Sequence, residues 1–106
     1  MIRRVVLLRL HPERVAEAGA LGTAILALLR SLPAVQRAEV ARRSPTLPAE
    51  GPGWDLCVTV DLAGRAELRA YLADPVHAAF VRDVLAPCVA ERSAASLELL
   101  EPEPAS

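Results

Sequence analysis

The chain has no lysine and no asparagine, and its aromatic residues are limited to Trp54, Tyr71 and Phe80, 3% of 106 positions. Its 12 basic residues are therefore all arginine, which, with abundant alanine, reads as the codon bias of a GC-rich, bacterial genome. With so few rings, the 53% of hydrophobic residues must build the core from Leu, Val and Ala, and any cavity gains aliphatic walls suited to an apolar ligand. The net charge of −1 and the scattered arginines form no basic stripe, and the aromatics are not interleaved with them as stacking platforms, which excludes nucleic acid as a partner. Cysteine is scarce: Cys57 and Cys88 lack the paired spacing of a zinc or redox motif and read as reduced, packed thiols in a cytoplasmic protein. Two histidines in separate contexts supply no His-based metal site, so no metal is expected. Long apolar runs are also missing. The run from Met1 to Leu10 is too short for a signal core and is broken by Arg9, and nothing approaches a membrane span.

What is present reads as one domain over residues 1–100, followed by a loose, proline-broken tail at 101–106. Residues 2–10, rich in Val and Leu, predict a strand ending at His11-Pro12. A helix follows from about Glu13, with Leu21, Ile25, Leu28 and Leu32 as its apolar stripe, and stops at Pro33. Gly19 and Gly22 mark early turns that are either frayed or closely packed. Residues 35–42 predict a strand with one wet face, and the Pro- and Gly-rich 43–53 a loop. Strict alternation puts Trp54, Leu56, Val58, Val60 and Leu62 on one face of the next strand, and Asp55, Cys57, Thr59 and Asp61 on the other. A short helix over 65–72, a longer one from Pro75 to about Glu91 that Pro87 kinks or ends early, and a last strand at 94–100 complete the order.

Two strand pairs, each carrying helix, predict an α+β layer with helices over one face of a four-stranded antiparallel sheet. The first strand is apolar on both faces, with Val6, Leu8 and Leu10 on one and Val5 and Leu7 on the other. A monomer would leave aliphatic surface in water, so the patterning predicts a homodimer packed sheet against sheet.

Reactive groups concentrate in the run from Ala70 to Phe80. Asp74 before Pro75 reads as a helix start, because Asp caps free backbone N–H groups and Pro has none to lose at the first helical position. His77 then falls in the first turn, where the positive end of the helix dipole favours a neutral imidazole able to accept a proton. Tyr71 lies just upstream. Against this stands the reading that Tyr71 only packs and His77 only serves the cap. Arg4 shares a strand face with Val6 and Leu8; facing the helices, it would edge the pocket and favour an anionic ligand, while the alternative has it reach solvent or pair with Glu98. Trp54, after a Gly-Pro-Gly loop, is either a lid or a strand-end core residue, and His11 reads as solvent-facing and inert.

The opening Ile2 to Leu10, Trp54-Asp55-Leu56, the run Tyr71-Leu72-Ala73-Asp74-Pro75-Val76-His77 and Leu85-Ala86-Pro87 resemble the stress-responsive dimeric α/β-barrel (Dabb) family across nearly the whole chain. The resemblance implies a ferredoxin-like βαββαβ protomer, a barrel formed in a homodimer, and a ligand cavity between sheet and helices. One branch, the polyketide cyclases of the olivetolic acid cyclase type, folds a linear poly-β-keto thioester and closes it by aldol condensation without cofactor. Its working tyrosine and histidine carry over to Tyr71 and His77. The sequence departs from the family at Arg4, where histidine is frequent, and from the cyclase at Leu56, where histidine also stands. The expected ligand contacts are Arg4, Val6, Leu8, Leu56, Val58 and Phe80. Three functions stay open: a homodimer binding a small apolar, anionic metabolite with acid–base chemistry at Tyr71 and His77, such as polyketide or β-keto cyclisation; a non-catalytic, stress-related binding or structural dimer; and a cofactor-free monooxygenase.

Overall fold

Val5, Val6, Leu7 and Leu8 suit a pleated, half-buried surface, and the chain from Ile2 to Leu10 forms strand β1 at the centre of the sheet. The computed structural model describes residues 1–48 and 53–100. Strands β2 (Arg37–Arg42), β3 (Leu56–Leu62) and β4 (Val89–Glu98) complete one sheet in the order β2-β3-β1-β4, every pair antiparallel. With helices α1 (Ala18–Ser31), α2 (Arg65–Ala73) and α3 (Pro75–Phe80), the order is that of a ferredoxin-like α+β fold. The predicted tail at 101–106, and residues 49–52 of the predicted loop, lie outside the described residues.

The core lies between α1 and the sheet. Leu21, Ile25, Leu29 and Leu32 of the first helical arm meet Leu8, Leu10, Leu56, Val58, Val60 and Leu62 of the strands. Leu29 takes the place in the buried stripe predicted for Leu28, which is half-buried and turned towards a cavity. Gly22 is closely packed rather than frayed: a methyl group there would stand 3.3 Å from Val40 Cγ1 and 3.5 Å from Leu56 Cδ2.

Helix α1 begins at Ala18, not at Glu13, and Pro12–Glu17 form a 3-10 turn. That turn buries no residue, so no packing energy draws it into the α-helix. The larger correction concerns the segment after α3. Helical turns end at Cys88, beside the Pro87 expected to kink or end them early, and not at Glu91: a wide π turn spans Val81–Leu85, a 3-10 turn spans Ala86–Cys88, and β4 starts at Val89, five residues before the predicted 94. Pro87 has no N–H with which to continue the helix. The N–H of His11 donates to the Cys88 carbonyl at 2.9 Å, and Val89 then pairs with Leu10 beside a register shift at Arg9/Leu10. Pairing along all of β1 outweighs the local helical pattern.

The second face of β3 is not wet at its ends. Asp55 and Asp61 are 7% and 6% exposed. Asp55 accepts a hydrogen bond from the Leu10 N–H at 2.8 Å. Asp61 accepts from Arg3 Nε at 2.8 Å and from a second Arg3 nitrogen at 3.0 Å, a two-point geometry that offsets the cost of burying the carboxylate. This ion pair holds the Asp61 carboxyl below the usual carboxylate range, chiefly through the Arg3 hydrogen bonds and against desolvation.

Candidate functional site

Asp74 starts α3 as its sequence predicts: one side-chain oxygen accepts from the N–H groups of Val76 at 2.8 Å and His77 at 3.4 Å, with Pro75 at the first helical position. The cap uses the backbone of His77, not its ring. Among the described residues no side-chain hydrogen bond occupies the imidazole, which lies against the ring of Tyr71 with centroids 4.4 Å apart and planes at 38°. Tyr71, near the end of α2, is 3% exposed, yet its hydroxyl is neither bonded to a protein group among the described residues nor sealed off as a buried orphan. It therefore opens into the space beside His77.

That space is a cavity of about 620 Å3 between the sheet and the α3 segment. It has the size of a small-molecule site. Arg4, Val6, Leu8, Val58 and Phe80 line it together with Tyr71 and His77. Leu56 does not: at 1% exposure it is core, packed towards Gly22 on the α1 side, and this corrects its expected ligand contact. Trp54, half-buried ahead of β3, is also off the wall. Arg4 faces the helices, and its Nη1 donates to Ser96 Oγ at 3.1 Å instead of pairing with Glu98. Leu28, Leu85, Val89 and Arg92 are wall residues that the sequence did not reveal, the last two because β4 begins before the expected end of the helix. Strand parity opposite β1 was the signal that could have found Arg92, which pairs with Leu8 and shares its face.

Burial pushes the His77 pKa below its ordinary value; Asp74 opposes this, while Arg4 and Arg92 add to it. The imidazole is therefore neutral, as its place in the helix suggests, but desolvation is the leading cause. Burial raises the Tyr71 pKa, against the pull of the same two arginines, and keeps the phenol protonated as a donor. A neutral base and a neutral donor side by side can remove a carbon-bound proton and hydrogen-bond the resulting oxyanion. Among the described residues no group of three His, Cys, Asp or Glu side chains could hold a metal ion, and no helix is long and apolar enough to cross a membrane.

Solved structures with the same fold include a Dabb protein of Mesorhizobium loti, 24% identical, covering 94% of this chain and 97% of its own with a TM-score of 0.75. A dimeric ferredoxin-like protein of Thermobifida fusca is 24% identical over 92% of this chain and 90% of its own, with a TM-score of 0.69. HapK of Hahella chejuensis is 26% identical over 100% and 99%, with a TM-score of 0.68. No curated protein matches the sequence. The model of the stress-responsive A/B barrel domain matches residues 2–98, and with the βαββαβ sheet described above it shows that the chain belongs to the Dabb family.

Proposed function

We propose that this protein is a homodimer whose cavity binds a small, largely apolar metabolite and performs cofactor-free acid–base chemistry on it, of the kind that cyclises β-keto chains. The observation that carries the reading is one connected cavity of about 620 Å3 reached by both Tyr71 and His77. A filled interior would have favoured a purely structural role. In the proposed step the neutral His77 takes the proton from a carbon between two carbonyls. The phenol of Tyr71 donates a hydrogen bond to the enolate oxygen; the carbanion attacks a distant carbonyl carbon of the same chain, the π pair of that C=O moves to its oxygen, and the alkoxide takes back the proton held by the His77 imidazolium, which restores the neutral base. Aliphatic walls from Leu28, Leu29 and Val58 would hold the chain folded and exclude water.

The dimer is supported by Val5 and Leu7, which point away from the helices, by Leu97 at 55% exposure on the same strand face, and by the dimeric relative from Thermobifida fusca. The free thiols Cys57 and Cys88 support a cytoplasmic setting. The test is turnover of a panel of β-keto thioesters and polyketides, with cyclised product followed by mass spectrometry. Product formation that disappears in a folded His77→Ala variant supports the enzyme; binding of apolar compounds without turnover of any of them leaves a non-catalytic binding dimer in its place.

A further inference from the structure

Resting on the ligand-cavity reading above, we infer that Arg4 and Arg92 form a two-guanidinium clamp for the carboxylate of an aliphatic acid. Besides the neutral His77, the cavity wall carries four charged side chains: Arg4, Arg82, Glu91 and Arg92. Two of them are already neutralised by neighbours, Arg82 by Asp83 at 2.8 Å and Glu91 by Arg9. Among the described residues neither Arg4 nor Arg92 has a carboxylate partner; Arg4 has only the neutral Ser96 hydroxyl. The wall therefore keeps two uncompensated positive charges above an aliphatic floor. Strand register explains how they come to share one face of the sheet. Arg4 stands opposite Ser96 and Arg92 opposite Leu8, so both lie on the helix side of the β1–β4 pair, about 13 Å apart along the strands at the usual rise per residue. Ala94 sits between them on that face of β4 and places no long side chain there.

An aliphatic carboxylate matches both halves of this cavity. Its chain fits the walls made by Leu28, Leu29, Val58 and Leu85, and its anion gives two guanidiniums the charge-assisted partner that each lacks. The anion would also act on the proton chemistry. The groups facing His77 are Tyr71 from α2, Asp74 at its own cap, Arg4 from β1 and Arg92 from β4. A carboxylate between the arginines offsets their repulsion of a protonated imidazole, so a bound acid should raise the basicity of His77.

The experiment compares octanoate with octanol, which have the same chain length, by calorimetric titration of the full-length protein and of Arg4→Gln and Arg92→Gln. Both replacements are made at side chains that hold no ion pair among the described residues, and folding is checked by circular dichroism. The expected result is octanoate binding at least about tenfold tighter than octanol, with each variant reducing octanoate to the octanol level and leaving octanol unchanged. In proton NMR the titration of His77 should move up with octanoate and not with octanol. Equal binding of acid and alcohol by the parent overturns the clamp and leaves the apolar cavity standing. Loss of preference in Arg4→Gln alone overturns the role given to Arg92. If neither compound binds, the ligand-cavity reading falls and takes the clamp with it.

Discussion

A histidine that is hard to protonate leaves a mark on both rate and stability. If His77 is the general base, His77→Ala should lower turnover about a hundredfold or more, whereas Tyr71→Phe, which removes one hydrogen bond and keeps the ring, should cost less. Both variants must first melt and associate as the parent does, so that an unfolding defect is not scored as catalysis. The pH dependence has two separate windows. Because the folded pKa of His77 is lowered, the unfolded chain takes up that proton first as pH falls. Its contribution to stability is complete above roughly pH 6.5 and declines below it until the folded pKa is passed. The carboxyl of Asp61 is likewise lowered in the folded state, so its contribution is complete above the ordinary carboxylate value and lost as pH falls through the folded one. Thermal melts from neutral to acid pH should show both declines; His77→Gln should flatten the upper window only, and Arg3→Gln the lower.

Turns and caps decide where each element stops. Asp74→Ala removes the acceptor for two N–H groups at the start of α3 and should cost about 1 kcal/mol in denaturant unfolding. Gly22→Val would drive a branched side chain into Val40 and Leu56, with an expected cost of about 1–3 kcal/mol by the same measurement. Local signals were legible wherever they agreed with the fold: strict alternation located β3 to within two residues, and Asp74-Pro75 located the start of α3. They failed where a long-range pairing competed. The helical pattern runs on past Pro87 in isolation, but β1 extends to Leu10 and takes Val89 as its partner, so the helical turns stop at Cys88. The same error hid Arg92, which reads as a residue past a helix end until its strand is paired.

At the scale of the whole molecule, one sheet face covers the core and the other holds Val5 and Leu7 beside the Arg3–Asp61 ion pair. Burying this second face in a partner would remove apolar surface that an 11.3 kDa monomer leaves in water. Sedimentation equilibrium at micromolar concentration should therefore give twice that mass. Leu7→Arg should shift the equilibrium towards monomer, because it would bury an unpaired charge between the sheets. A parent that sediments only as monomer would refute the dimer.

Composition and periodicity were enough to determine an aliphatic α+β domain, its element order, a capped turn bearing His77 next to the only tyrosine, and the two-sided apolarity of β1. These are properties of neighbours in the chain, which period and cap chemistry report directly. Only the tertiary structure decided that Tyr71 and His77 share one cavity, that Leu56 is core and not wall, that Asp55 and Asp61 are buried and satisfied, and that Arg92 joins Arg4. Each of these depends on which strands pair and in what register. Residues 88 positions apart, such as Arg4 and Arg92, acquire a common environment only when β4 lies down against β1.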